Sequence, residues 1–257
     1  DGVERDPARA ARLYRQAAER GYVRAQCNYG YCCYRGIGVE ENNEEAVRWF
    51  RAAAGQGSAR AMQLLGECYD HGYGVEEDKE EAVRLYRQAH EMGFVPATCA
   101  LGLCYELGEG VAESKEEAAR LYLEAAQRGF AAAQCNLGFF YYHGIGVEED
   151  DEKAASWFAK AAEQGHHRAE FYLGECCENG YGVAKNLQRA VELYTLSHQG
   201  GYPDGTYALG KCFEEGRGVK KDAGKARELY RQAAQRGHKR AEEGLKRLEK
   251  KKHFWNK

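Results

Sequence analysis

The chain has 257 residues, 44% hydrophobic and 30% charged, with a net charge of -3. That balance suits a folded protein rather than a disordered one, and it argues against a general binder of nucleic acid or anionic membrane. No run approaches the roughly 18 apolar residues of a membrane-spanning helix, and no secretory signal is visible.

The first predicted helix opens at a polar N-cap, Asp6, and stops before Gly21. The second places Ala25, Tyr29, Cys32 and Cys33 toward the core and ends at Gly36. The third starts at Asn42, carries Ala46, Trp49, Phe50 and Ala53 at helical spacing, and stops at Gly57. A fourth carries Ala61, Leu65, Gly66 and Tyr69 and ends at Gly72. The fifth runs from Asp78 through Ala82, Leu85, Tyr86 and Ala89, and the same start recurs at Ser114, Asp150, Asn186 and Asp222. At each start a side-chain oxygen is expected to satisfy a free amide of the first turn. Glu45, Glu81 and Glu117, three residues on, predict reciprocal capping boxes. Arg20, Arg128 and Arg236 precede the stop glycine, where a cation suits the helix C-terminus.

The glycines give the period. Gly36-Ile37-Gly38-Val39 recurs as a Gly-x-Gly-Val tetrad from Gly72, Gly108, Gly144, Gly180 and Gly216, and Gly2-Val3 is the tail of a further copy. Each step is 36 residues, which means stacked supersecondary units. A second series, Gly30, Gly66, Gly102, Gly138, Gly174 and Gly210, falls inside helices. There glycine costs roughly 1 kcal/mol against alanine, so a close helix approach is expected. The Gly-x-Gly turn is expected to supply positive φ after the helix end.

One copy reads Ala133-Gln134-Cys135-Asn136-Leu137-Gly138, then Tyr141-Tyr142-His143-Gly144-Ile145-Gly146-Val147, then Ala154, Trp157, Phe158, Ala161, Ala162 and Gly165. This pattern resembles the Sel-1-like repeat family, relatives of the tetratricopeptide repeat, and it covers nearly the whole chain. The resemblance implies a right-handed α-solenoid whose first helices line a concave face, a scaffolding role toward other proteins, and no shared catalytic residues. About fourteen helices are expected in one continuous all-α solenoid over residues 1–257: about six full repeats, partial terminal repeats, and a basic capping helix and tail over 239–257. That tail has eight Lys/Arg against three Glu, and Ala241, Leu245 and Leu248 form its narrow apolar stripe. The chain opens inside a repeat without Met, so a longer parent protein is expected, in which this module could serve a regulatory role.

A longer period overlies the repeat. Ala25-Gln26-Cys27-Asn28 recurs three repeats on as Ala133-Gln134-Cys135-Asn136, and Leu65-Gly66-Glu67-Cys68 as Leu173-Gly174-Glu175-Cys176. A duplicated three-repeat block is the simplest source.

Ten cysteines, Cys27, Cys32, Cys33, Cys68, Cys99, Cys104, Cys135, Cys176, Cys177 and Cys212, all fall on first helices. Same-position thiols should lie a helix spacing apart, roughly 8–10 Å, too far for the Cα separation of a disulfide. They read as small apolar core residues, and their number favours a reducing compartment. A cysteine-based redox or metal-binding enzyme is the alternative. No Cys-x-x-Cys or His-Glu-x-x-His supports it, and His166-His167 with Glu170 reads as a surface group. No cofactor is expected. Gly-x-Gly links helix to helix and reads as a turn, not a phosphate loop. Lys246-Arg247 and Lys250-Lys251-Lys252 read as a solvated cap, with contact to an acidic partner as the alternative.

The candidate binding residues come from a helical stripe on the first helices, placed on the groove by analogy with tetratricopeptide proteins. Position 28 and its equivalents include Asn28, Leu64, Asn136 and Tyr172. Position 31 includes Tyr31, Glu67, Leu103, Phe139 and Glu175. Position 34 includes Tyr34 and Tyr142. Exposed aromatics and amides suit an extended peptide, since Asn offers both a donor and an acceptor and aromatic rings supply contact area at low entropic cost. Two equivalent subsites are expected, Asn28-Tyr31-Tyr34 and Asn136-Phe139-Tyr142. The reading is a non-catalytic interaction scaffold for a protein or peptide segment.

Overall fold

The computed structural model describes residues 6–255, with side chains through Leu248. Gly2-Val3 and the side chains of Lys250, Lys251 and Lys252 lie outside the described residues. Among those residues there are fourteen helices and no strand: α1 (Pro7–Glu19), α2 (Val23–Arg35), α3 (Asn43–Gly55), α4 (Ala59–His71), α5 (Lys79–Glu91), α6 (Val95–Leu107), α7 (Lys115–Gln127), α8 (Ala131–His143), α9 (Asp151–Ala162), α10 (His167–Asn179), α11 (Leu187–Gln199), α12 (Pro203–Glu215), α13 (Ala223–Gln235) and α14 (Lys239–Trp255). They form two compact units, Asp1–Arg128 and Gly129–Lys257. Within each unit a helix packs chiefly against its neighbours in sequence, the contact of α2 on α3, or α8 on α9, being the most extensive kind.

The odd-numbered helices start as the sequence predicts. Asp6, Asn42, Asp78, Ser114, Asp150, Asn186 and Asp222 each accept from the amide three residues on. The reciprocal half of the expected capping box is replaced. The backbone N–H of Asn42 donates to the carbonyl of Cys33, that of Asp78 to Tyr69, and that of Ser114 to Tyr105. The preceding helix thus satisfies the amide that the glutamate was expected to take, and the glutamates turn outward along their own helices. Glu45 accepts from Trp49 Nε1 at 3.3 Å, while Glu81 and Glu117 bind Arg84 and Arg120.

Two glycine series have separate steric causes. A Cβ on Gly66 would lie 2.5 Å from the Tyr86 ring, and one on Gly30 would lie 2.8 Å from Phe50. The partner helix therefore seats an aromatic ring where a side chain would stand. Gly74, at φ +68, approaches the preceding repeat so closely that a Cβ would fall 2.2 Å from the backbone of Asn43. That position needs both the left-handed backbone and the missing side chain.

The core is rich in alanine, and each odd helix from α3 to α13 buries one large ring in it. Phe50, Tyr86 and Tyr122 are buried in the first unit, and Phe158, Tyr194 and Tyr230 in the second. At the end of the second unit Ala241 and Leu248 are buried and Leu245 packs beside them, so the narrow stripe of α14 covers the last repeat. Arg247 is exposed, as the sequence predicts, and also clamps Glu214 on α12 at 2.6 and 3.2 Å.

Candidate functional site

The even helices carry the predicted stripe, and in the first unit α2 and α4 position its leading residues. Asn28 is half-buried, and its side-chain oxygen accepts from Arg60 Nη1 at 3.3 Å. The same guanidinium lies over the Tyr31 ring, 5.6 Å from its centre. In the second unit Asn136 accepts from Arg168 Nη1 at 3.2 Å, and Arg168 lies over Phe139 at 5.0 Å and Tyr172 at 5.5 Å. An amide, an arginine and an aromatic ring thus meet twice, once in each unit and three repeats apart in the sequence. The arginines escape a reading of single helices because each comes from the following repeat. The available signal was the spacing from Asn28 to Arg60, which recurs unchanged from Asn136 to Arg168.

The duplication is retained partner by partner in the interior as well. Gln56 donates to the buried Gln26 at 2.7 Å, as Gln164 does to Gln134 at 2.8 Å. His90 pairs with Thr98 at 2.9 Å, as His198 does with Thr206 at 3.0 Å.

Tyr34 and Tyr142 are not bare surface rings. They meet Phe50 and Phe158 edge to face at 6.3 and 6.2 Å, and their other faces meet Tyr73 and Tyr181 of the next turn. Where the core ring is a tyrosine, the same position holds an acid. Tyr122 donates to Glu106 at 2.6 Å, Tyr194 to Glu178 at 2.8 Å and Tyr230 to Glu214 at 2.7 Å. In these five repeats position 34 answers the core ring of its own repeat, an aromatic for a phenyl and a carboxylate for a phenol; beside Tyr86 the position holds Asp70, which pairs with Lys79 at 2.9 Å. Burial pushes the Tyr34 hydroxyl up to about 12, with the Glu67 charge adding to it.

The rest of the stripe divides. Leu64, expected at the surface with its equivalents, is only 7% exposed and belongs to the core of the first unit. An apolar side chain folds inward at a position where asparagine stays at the boundary. Leu103 is 44% exposed. Tyr172 lies parallel to Phe158 at 5.0 Å and tilts against Phe139, completing an aromatic group that the first unit, with Leu64 at that place, lacks. Glu67 accepts from Gln63 at 2.6 Å, and burial raises its pKa. Burial, with the charges of Glu178 and Asp204, raises the Glu175 carboxyl to about 7.

All ten cysteines are buried, and none is in a disulfide. Burial pushes Cys68, Cys104, Cys135 and Cys176 up to about 12 and Cys212 to about 11, and raises Cys27, Cys32, Cys33 and Cys177. A thiolate nucleophile needs the opposite shift. His166 and His167 part company: the first caps α10, accepting from Ala169 N–H at 3.3 Å, and the second contacts the buried Glu170 at 2.9 Å. No group of three metal-ligating side chains occurs among the described residues, and no helix there is long and apolar enough to cross a membrane.

Stacked helix pairs with this glycine and cap pattern agree with the comparison to protein families. The Sel1 repeat matches seven times in succession, at residues 1–22, 23–58, 59–94, 95–130, 131–166, 167–202 and 203–238. The chain belongs to the Sel1 repeat family. Its fold is the α-solenoid of that family, whose members generally serve protein–protein interaction. Among solved structures, c5321, a protective antigen present in uropathogenic Escherichia coli strains and displaying an SLR fold, is 36% identical over 95% of this Sel1 repeat chain, with a TM-score of 0.75. The chain spans 53% of that protein, about half its length. A Sel1 repeat protein from Oxalobacter formigenes is 29% identical with a TM-score of 0.77, over 90% of this chain and 97% of its own. The immunity protein Pa5087 from Pseudomonas aeruginosa, 23% identical with a TM-score of 0.55 over 77% of this chain and 76% of its own, shares the fold. No curated protein sequence gives a significant match.

Proposed function

We propose that this Sel1 repeat chain is a non-catalytic scaffold that holds a segment of another protein along the stripe of its even helices. The observation that carries the reading is the paired constellation of Asn28, Arg60 and Tyr31 in one unit and Asn136, Arg168 and Phe139 in the other. In each, a guanidinium orders an aromatic ring and an amide at the helix surface. Such preorganised rings lose little freedom when a partner docks. Leu103 and the tyrosines at 34, 142 and 172 extend the contact surface, and Leu64 supports it from beneath. The raised thiol pKa values favour this reading over cysteine chemistry, and ten buried thiols outside any disulfide favour a reducing compartment.

Affinity capture from native lysate, with bound proteins identified by mass spectrometry, tests the reading against a Tyr31→Ala/Phe139→Ala variant. Partners held by the native chain and lost by the variant support it. Partners retained equally by both move the binding site off the stripe.

A further inference from the structure

Five side chains of the first unit line one open cleft of about 470 Å³: Arg24, Cys27 and Asn28 from α2, Ser58 at the N-cap of α4, and Arg60 in its first turn. Its hydrogen-bonding character is one-sided. The Asn28 side-chain oxygen is already taken by Arg60 at 3.3 Å, and the Ser58 oxygen accepts from Ala61 N–H at 3.2 Å. The lining side chains are rich in donors: the guanidinium groups of Arg24 and Arg60 and the amide N–H groups of Asn28. No carboxylate lines it. Both arginines are exposed, and Arg60 is further fixed by its position over Tyr31, so the cleft adjoins an aromatic of the stripe. The Arg60 charge and a hydrogen bond from Ser58 partly offset the burial that raises the neighbouring Cys27 thiol.

The duplicate of this place in the second unit is built differently. Ala132 stands at the place of Arg24 and His166 at that of Ser58, and His166 is held toward its neutral form by burial and by the charge of Arg168. Arg168 is half-buried beside Phe139 and Tyr172. The second unit therefore keeps the aromatic side of the constellation and loses the pair of exposed cations.

We propose that the cleft of the first unit takes an acidic side chain of the bound segment, its anionic oxygens bridging Arg24 and Arg60. The occupant rests on the groove reading above; the anion preference rests on the cleft alone. Paired guanidinium groups match the geometry of carboxylate or phosphoryl oxygens, and a ligand that only accepts hydrogen bonds is the complement of a cleft that chiefly donates them.

Two measurements on the full chain test this separately. In the first, the arginine side-chain Nε–H resonances are followed by NMR during titration with N-acetylglutamate and, separately, with inorganic phosphate. Saturable shifts at Arg24 and Arg60, absent at the exposed Arg48 and abolished in Arg24→Gln, are expected. Equal, unsaturable shifts at all exposed arginines would overturn the site. In the second, fluorescence anisotropy compares octapeptides that carry one tyrosine and one Glu, phosphoserine, Gln or Lys. The Glu or phosphoserine peptide should bind about tenfold or more tightly than the Gln peptide, an advantage lost in Arg24→Gln/Arg60→Gln. The order of Glu and phosphoserine identifies the oxygens preferred. Peptides that bind through Tyr31 but ignore charge leave the groove reading standing and overturn the acidic anchor. Saturable anion shifts with no peptide binding overturn the groove reading and remove the peptide as occupant.

Discussion

Glu175 holds its proton more tightly than an ordinary glutamate because burial and the nearby Glu178 and Asp204 disfavour its charge, while Lys211 and Arg240 offset only part of this. Its folded pKa of about 7 lies above the ordinary glutamate value of 4.5. Between those values the folded chain keeps a proton that the unfolded chain has released, so this residue's contribution to stability falls as pH rises through the window. Glu175→Gln removes the dependence. Urea denaturation at pH 5 and pH 8 should show the native chain losing on the order of 2 kcal/mol more than the variant, after allowance for solvent screening; parallel losses would show that the carboxyl titrates normally. Position 34 gives a second residue-scale test. Tyr34→Glu places a carboxylate beside Phe50, which has no hydroxyl to donate, and should cost about 1–3 kcal/mol. Adding Phe50→Tyr recreates the pair seen at Tyr122 and Glu106, and most of that loss should return. A double-mutant cycle with no coupling would contradict the pairing.

At the scale of the helix pair, the polar caps and the glycine series are the strongest determinants. Asp78→Ala should destabilise the chain by about 1 kcal/mol, read from the urea midpoint. Gly66→Ala is the sharper case. Helix propensity alone favours alanine by roughly 1 kcal/mol, but the added methyl meets the Tyr86 ring at 2.5 Å, and overpacking of this kind costs about 1–3 kcal/mol. Net destabilisation is expected; a rise in melting temperature would show that the ring yields. These features were legible in the sequence because each is local or strictly periodic. The seven caps, the stop glycines and the core rings all follow from position within the repeat unit. The second half of the capping box was not legible, because its amide is satisfied by a carbonyl of the preceding helix. The candidate site was legible in its asparagines and rings but not in Arg60 and Arg168, which arrive from the next repeat. Leu64 was misplaced because helical spacing selects a face without saying how far a given side chain turns inward.

At the scale of the whole chain, packing runs from each helix to its neighbours in sequence within each unit. Stability in such an array is a sum of local terms. Hydrogen exchange of Gly66→Ala should therefore show lost protection in α3–α6 with little change in α10–α13; uniform loss would mean that the chain unfolds as one body. The same arrangement lets a stripe of surface residues recur on successive helices while the core beneath varies little, and on that stripe the proposed scaffolding role depends. Its most direct test is the affinity of a captured partner, measured by calorimetry, for the native chain, for Tyr31→Ala/Phe139→Ala, and for Tyr14→Ala, whose ring is exposed on the odd helix α1. With thermal melts confirming that all three are folded, a loss of about tenfold or more confined to the stripe variant is predicted. Equal affinities across the three would contradict the stripe as the binding surface.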